Sequence, residues 1–236
     1  MYEMKRTVYC SHLGEGSVVK NSLLVDYLQD TSQRHLLSHP VLSPFFEREN
    51  CVMFLISRQI DIIRRPVLGE EIAVRTWAYE LNRSYGFRNT VIYDGKGEPI
   101  VKSIAGGAFM NTETGRLMRV PAEIINKVKV YPKLDMEYLS RKISLPEGGP
   151  DLTAPAAIRK SDIDMNLHVN NARYFDIADD FVSCPLKARR IEAEYKIPVK
   201  QEDRITAAVF NKKDGRTAVS LNDENGRQCC VIEYTF

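Results

Sequence analysis

No apolar run in the 236-residue chain approaches the roughly 18 residues that a membrane-spanning helix requires. The first residues also lack the apolar core of a secretory signal peptide. We therefore expect no membrane span, no signal peptide and no membrane partner.

The cysteines of the chain also show no regular spacing. Its five cysteines are odd in number and scattered, and none has the spacing of metal ligands. This pattern excludes a disulfide framework and predicts reduced thiols, a cytoplasmic protein and no metal site. The cysteines are Cys10, Cys51, Cys184, Cys229 and Cys230.

Neither sign of charge dominates, because 33 Lys and Arg residues face 31 Asp and Glu residues and the net charge is +2. A balance of this kind gives no global field for binding nucleic acid. The hydrophobic content of 44% and the charged content of 27% are typical of a soluble globular protein. The length suits one large domain or two small ones.

The most informative segment is 162–174, where Asp164, Asn166 and His168 fall at positions i, i+2 and i+4. On an extended backbone this spacing points an acid, an amide and an imidazole to one side. Asn170 or Asn171 can then cap a helix, whose apolar face is predicted from the spacing of the residues that follow. Polar groups beside free backbone N–H groups can polarise a carbonyl and aim a water at it. The predicted apolar face consists of Tyr174, Ile177, Ala178 and Phe181.

Each of these residues alone has a simpler explanation, since Asp and Asn before a helix are common caps and a single His is usually structural. In this order, followed by Val169, Asn170 and Asn171, the segment resembles the acyl-acyl-carrier-protein thioesterases of plants and bacteria, whose motif is Asp-x-Asn-x-His-Val-Asn-Asn-x-x-Tyr. Shorter matches follow in the family's order along most of the chain. They are Leu28-Gln29-Asp30-Thr31 with His35, Arg65-Pro66, Gly69-Glu70, Thr76-Trp77, Met110-Asn111 and Thr114-Gly115-Arg116-Leu117.

The resemblance implies hydrolysis of fatty acyl-carrier-protein thioesters in fatty acid biosynthesis, with acyl carrier protein as the partner and without a cofactor. It also implies two hotdog folds in one chain. The sequence leaves open the acyl length, the carrier preference and a homodimer.

A weak internal repeat supports this organisation. With an offset of 150 residues, Val19 pairs with Val169 and Asn21 with Asn171, and an amphipathic helix follows in both halves. Strand-like runs then succeed one another without helices between them, which favours antiparallel pairing and an α+β fold, a tandem hotdog in which each long helix is wrapped by an antiparallel sheet. We predict an N-terminal repeat over 1–135, a linker over 136–153 and a C-terminal repeat over 154–236. The predicted strands are 52–63, 70–80, 87–93, 99–111, 188–197, 203–210, 216–222 and 228–235.

The two halves differ where chemistry is concerned. Gly14, Gly16 and Val18 occupy the positions that match Asp164, Asn166 and His168. We infer that the second half carries catalysis and the first half holds the acyl chain, a division that the family resemblance also implies.

Thioester hydrolysis requires an activated water and a polarised carbonyl, because the leaving thiol has a pKa near ~8.5 and needs little acid assistance. His168 can accept a proton from water at neutral pH, and Asn166 can donate to the carbonyl or fix the water. Asp164 can orient His168 or act directly, and the sequence does not choose between these roles.

One departure from the family concerns a later strand, where the plant enzymes carry Glu-Tyr-x-x-Glu-Cys. Here Pro198 occupies the position of the second Glu, a proposed water activator, and Val199 that of the Cys. Glu192 and Glu194 are poorly placed substitutes, and Glu202 is a further candidate. Two alternative hypotheses therefore stay open: a hydratase or dehydratase of acyl thioesters, and a non-catalytic acyl-binding module.

Two further features concern the substrate. Family members tend to have Trp where Gly107 stands, so Gly107 is predicted to leave room for the acyl chain, unless Gly106 and Gly107 mark a bulge. Basic residues are predicted to dock the acidic carrier protein, unless they are solvated strand ends. These basic residues are Arg64, Arg65, Lys187, Arg189 and Arg190. The predicted substrate-binding residues are Asn170, Asn171 and Gly107.

Overall fold

The structure, a computed structural model, describes residues 1–236, in which ten strands form one antiparallel sheet. In chain order the strands are β1 (Tyr2–Thr7), β2 (Cys51–Ile62), β3 (Glu71–Leu81), β4 (Tyr85–Tyr93), β5 (Pro99–Asn111), β6 (Leu152–Ala156), β7 (Arg190–Tyr195), β8 (Ile205–Asn211), β9 (Thr217–Asp223) and β10 (Gln228–Thr235). Their order across the sheet is β1-β3-β4-β5-β2-β7-β10-β9-β8-β6. The helices are α1 (Asn21–Leu37), α2 (Leu42–Arg48), α3 (Ala122–Ile125) and α4 (Arg173–Asp179).

The sheet consists of two halves that meet at β2 and β7. Residues Ser57–Asp61 of β2 pair with Arg190–Glu194 of β7, so the hydrogen-bonded ladder crosses from one half to the other without a break. The first five strands in the sheet order belong to the first half and the last five to the second.

Each half places one helix against the sheet. Leu24, Leu28 and Thr31 of α1 recur at helical spacing and are fully buried, as the helix period requires for a face packed on a sheet. In α4 the buried residues include Tyr174, Phe175 and Ile177. Both helices contribute to one hydrophobic core, although α4 has seven residues and α1 has seventeen.

The internal repeat is visible in individual hydrogen bonds. The backbone N of Gly14 donates to the carbonyl of Val18 at 2.7 Å, and the N of Asp164 donates to the carbonyl of His168 at 2.8 Å. The bridge between Leu13 and Val19 has a counterpart between Ile163 and Val169. These contacts show that the loops 14–18 and 164–168 are equivalent, with the offset of 150 residues that the sequence predicted.

All eight predicted strands are present, with ends displaced by a few residues. The structure adds β1 and β6, which are the two edge strands of the sheet. Strand β6 begins at Leu152, within the last two residues of the predicted linker 136–153. No helix of the structure has the length and apolar character to cross a membrane.

Candidate active site

The segment 164–168 is a tight turn, and the prediction of an extended backbone there was wrong. Leu167 adopts a left-handed conformation with φ of 62°, and its N–H donates to the carbonyl of Asp164 at 3.0 Å. The side chain of Asp164 closes the turn further, because Oδ1 accepts from the N–H of Asn166 at 2.8 Å. An Asp that bonds the backbone two residues ahead favours a turn over a strand, and this local bond overrides the alternating pattern.

The turn separates the three predicted catalytic side chains. Asp164 and Asn166 line a cavity, and Nδ2 of Asn166 lies 3.4 Å from Oδ2 of Asp164. His168 is half-buried, does not line this cavity and makes no side-chain hydrogen bond within the chain. The structure therefore brings the acid and the amide together and leaves the imidazole outside.

Asn170 bonds the backbone just before α4, whose cap residue is Ala172 and has no side-chain cap bond, so the prediction that Asn170 or Asn171 caps this helix was wrong. Its Oδ1 accepts from the N–H of Ala172 at 2.9 Å and from Nε2 of Gln29 at 3.0 Å. One amide oxygen thus forms a local turn before α4 and joins this turn to α1 of the first half. The carbonyl oxygen of Asn171 accepts a hydrogen bond from the hydroxyl of Tyr195 at 3.1 Å. Both asparagines line the cavity.

The cavity, of about 260 Å³, lies between α1 and strands β2–β5 of the first half, and residues of the second half complete its wall. The first half supplies most of the wall, and the second half adds Asp164, Asn166, Asn170 and Asn171. The division into an acyl-binding first half and a catalytic second half stays a prediction. Asp164 is the only acidic residue among those that line the cavity.

Gly107 lies in the cavity wall opposite Met53. A Cβ on Gly107 would be 2.5 Å from Cγ of Met53, and a Cβ on the adjacent Gly86 would be 2.8 Å from its Cε. The Met53 side chain therefore occupies the space above both glycines. The register shift in this region is on β2, between Leu55 and Ser57.

Two buried arginines, which sequence reasoning missed, also line the cavity. Arg58 is 3% exposed and Arg88 is 8% exposed. Burial, followed by the charge of Arg58, lowers the pKa of Arg88 to about 10, and burial lowers the pKa of Arg58. The sequence contained one indication of this burial. Arg58 is two residues from Ile60 and Arg88 is four residues from Ile92, so each arginine lies on the same strand face as a buried residue.

His35, one of the residues that carry the family resemblance, contacts Arg88 of this pair. Its Nδ1 lies 2.8 Å from Nη2 of Arg88, and since a guanidinium can only donate, the imidazole accepts. Burial, followed by the charge of Arg88, lowers the pKa of His35 to about 3. His35 is therefore neutral at physiological pH and supplies no positive charge.

None of the three glutamates considered as substitutes for the family Glu lines the cavity. Glu194 accepts from the N–H of Ile143 at 3.2 Å and pairs with Lys196. The pKa of Glu192 is raised by burial and by Glu233, and Glu202 is exposed. Strand β7 ends at Tyr195, before Pro198. Asp164 is consequently the acid that the fold presents to the cavity.

A single sheet that wraps two helices, with a cavity closed by residues of both halves, defines the chain as a tandem hotdog protein of the α+β class, as predicted. Residues 2–128 match the family model of the acyl-ACP thioesterase N-terminal domain, and residues 151–236 match that of the C-terminal domain. The chain belongs to the acyl-ACP thioesterase family.

Curated relatives match at low identity. A chloroplastic acyl-[acyl-carrier-protein] hydrolase of Cuphea viscosissima is 30% identical over 163 residues, which are 64% of this chain and 39% of the relative. A chloroplastic palmitoyl-acyl carrier protein thioesterase of Arabidopsis thaliana is 25% identical over 165 residues, covering 64% of this chain and 40% of the relative. The matches to these two relatives thus span about two fifths of each relative's length.

Solved structures share the whole fold. An acyl-ACP thioesterase from Bacteroides thetaiotaomicron superposes with a TM-score of 0.86 at 20% identity, covering 99% of this chain and 96% of that one. A 12:0-ACP thioesterase from Umbellularia californica gives 0.78 at 17% identity, covering 99% and 96%. These likenesses confirm the fold class.

Proposed function

We propose that this protein hydrolyses fatty acyl-acyl-carrier-protein thioesters to free fatty acid and carrier protein. The observation that carries the proposal is the cavity of the first half, whose wall includes Asp164 and Asn166 of the second half. In this proposal the acyl chain lies between the helix and the sheet, and its thioester carbon lies beside an acid and an amide. Membership of the family supports the same activity.

In this proposal Asp164 activates the water. A carboxylate beside the thioester can accept a proton from water as it attacks the carbonyl carbon, and the tetrahedral adduct then expels the thiolate. Asn166 is the donor to the carbonyl oxygen, where negative charge develops. The Asp164 carboxylate is held by the backbone N–H of Asn166, and the Asn166 amide lies 3.4 Å from its other oxygen, so the two side chains are neighbours in the turn.

His168 stays in the proposed site as a second proton acceptor. Its ring makes no hydrogen bond within the chain, so no hydrogen bond has to break for it to turn. Catalytic hydrogen bonds often tighten only when substrate binds. Its participation therefore requires the turn 164–168 to adjust around the acyl thioester.

The proposed carrier-docking surface is smaller than the sequence indicated. Arg64 pairs with Glu70 and Asp94, and Arg190 pairs with Asp61 and Glu137. Arg65 donates to carbonyls and to Asn21, which ties it to the interior. Lys187 and Arg189 are exposed and form no ion pair, so they are the part of the cluster available to an acidic partner.

The test is a hydrolysis panel over acyl lengths on carrier protein and on coenzyme A, with free thiol as the readout. We expect thiol release with wild-type protein and a loss of about 10²-fold or more with Asp164→Ala. Asp135→Ala, at an exposed position outside the cavity, is the matched control.

The panel also separates the alternatives. A change in enoyl-thioester absorbance without thiol release would identify a hydratase or dehydratase. Acyl-thioester binding without turnover of any substrate would identify a binding module, and either result would overturn the proposal.

A further inference from the structure

Arg58 and Arg88 lie in one row across the floor of the cavity. Arg88 pairs with Ala78 and Ala105, and Arg58 pairs with Ala105 and Ala193 on the neighbouring strands. Paired residues of neighbouring strands share a face, so both arginines project to the same side of the sheet as these alanines. Because alanine side chains are short, the two guanidinium groups have no bulky neighbour in their own row.

No acidic side chain of the protein neutralises this pair. Arg88 donates to the carbonyl of Ser32 at 2.9 Å and to the neutral His35, and Arg58 donates to Oγ of Ser103 at 3.4 Å. Nε of Arg58 is buried without any partner. A guanidinium stays charged at neutral pH, and a buried charge is costly unless it is paired. Two unpaired cations facing one cavity therefore favour an anionic ligand.

The arginines are displaced from the proposed reaction centre. Asn170, beside the turn, contacts α1 at Gln29, whereas Arg88 contacts α1 at Ser32 and His35. With a rise of 1.5 Å per residue these contacts lie ~4.5 Å and ~9 Å further along the helix. An anion held there is separated from the thioester by several bonds. Because the proposed function places the acyl chain in this cavity, the phosphate of the carrier's pantetheine arm, on the opposite side of the thioester, lies outside it.

We propose that Arg58 and Arg88 form a carboxylate-binding subsite and that the preferred acyl group ends in a carboxylate. This inference rests on the proposed hydrolase function. The substrate class is then an ω-carboxyacyl thioester, and hydrolysis releases a dicarboxylic acid and the thiol. The planar fork of arginine matches the two oxygens of a carboxylate, which is why this anion suits the pair. A purely apolar tail would leave both charges buried and unpaired.

The experiment compares two thioesters of equal length, octanoyl and octanedioyl, on the same carrier protein. We expect kcat/KM for the octanedioyl thioester to exceed that for the octanoyl thioester by about 10-fold or more, as charge-assisted hydrogen bonds support. In Arg58→Met the order should reverse. Arg204→Met, at an exposed position without an ion pair, is the matched control and should keep the wild-type order.

Binding of free octanedioate, followed by calorimetry, tests the subsite without turnover. We expect Arg58→Met to weaken octanedioate binding about 10-fold or more while raising the Tm of the ligand-free protein, because an unpaired buried charge is removed. If neither thioester is hydrolysed but octanedioate binds in an Arg58-dependent manner, the proposed function fails and the subsite stands.

Two results would overturn the subsite. One is wild-type preference for octanoyl thioester together with octanedioate binding that Arg58→Met leaves unchanged. The other is Arg58-dependent binding of octanoate equal to that of octanedioate, with no advantage for the octanedioyl thioester. In that case the arginines bind the carboxylate of a released fatty acid.

Discussion

At the scale of single residues, a substitution can separate the structural contact of Asp164 from its proposed catalytic role. Its Oδ1 accepts from the N–H of Asn166 and so holds the turn, and its carboxylate is the acidic group of the cavity. Asparagine at this position keeps an oxygen acceptor for the turn but cannot accept a proton from water.

We expect Asp164→Asn to reduce kcat by about 10²-fold or more while leaving the circular-dichroism spectrum unchanged, because the charge is lost and the turn is kept.

We expect a loss of similar size for His168→Ala, in line with its proposed role as a second proton acceptor. A near wild-type rate for His168→Ala would confine proton transfer to the residues that line the cavity. A near wild-type rate for Asp164→Asn would remove Asp164 from the mechanism.

The buried arginines show what the sequence does not reveal at this scale. The motif 162–174 indicated four polar residues that line the cavity, because their order is specific: Asp164, Asn166, Asn170 and Asn171. Only strand parity marked Arg58 and Arg88, and it is a weak indication, since a charged residue on a strand is usually on the solvent face. Their burial depends on which strands are neighbours, and that information exists only in the folded sheet.

At the scale of secondary-structure elements, the central strands were predictable because turns such as Asp94-Gly95 separate runs of apolar residues. The edge strands β1 and β6 were not. Strand β6 contains Pro155, which a strand tolerates at a sheet edge, and β1 is rich in charged residues. The turn 164–168 was missed because a side-chain bond to the backbone decided the conformation.

Strand β2 carries a prediction about acyl length through Met53, whose side chain lies over Gly86 and Gly107. We expect Met53→Ala to shift the preferred acyl chain to longer substrates, because the removed side chain vacates space in the cavity. Each additional buried methylene contributes ~0.8 kcal/mol, or about fourfold in kcat/KM. Rates over a series of chain lengths measure the shift.

Met4→Ala is the control for this series, since Met4 does not line the cavity. Gly107→Trp, predicted to favour shorter chains, also requires Met53 to move, because the two side chains would collide. The double variant Met53→Ala/Gly107→Trp removes that conflict. An unchanged chain-length profile in a folded double variant would exclude Gly107 from the acyl pocket.

At the scale of the whole molecule, one buried network joins the two halves. Asp179 of α4 accepts from Nδ2 of Asn21 in α1 at 3.0 Å and from the hydroxyl of Tyr234 at 2.7 Å. Arg65 donates to the same Asn21 at 2.6 Å. Burial, partly offset by these hydrogen bonds, raises the pKa of Asp179 to about 6.

This raised pKa predicts a pH dependence of stability. The folded protein binds the proton more tightly than the unfolded chain, whose Asp pKa is ~3.9. The stabilisation of the folded state by the proton on Asp179 is therefore fully present below pH ~4 and is lost as pH rises through about 6. It amounts to about 3 kcal/mol at most. The unfolding free energy of wild type relative to Asp179→Asn should fall between pH 4 and pH 7, and a constant difference would contradict the assignment.

Carrier docking is a second property of the whole molecule. We expect the double variant Lys187→Glu/Arg189→Glu to lower kcat/KM on carrier-protein substrates about 10-fold at low salt, with a smaller effect at high salt and on coenzyme A esters. Lys213→Glu serves as the control, since Lys213 is exposed and lies on a different turn. Equal effects on both carriers, or no dependence on salt, would argue against electrostatic docking.

The equivalence of the loops 14–18 and 164–168 also bears on how such a protein can evolve. In a homodimer of single repeats, each substitution occurs in both copies, so a pocket cannot change without altering its symmetric counterpart. In this chain both repeats are part of one polypeptide, yet a substitution in one repeat leaves the other unchanged. Met53 and Arg58 can vary in one repeat while Asp164 and Asn166 stay intact in the other. New acyl specificities are therefore accessible through substitutions in the first repeat alone.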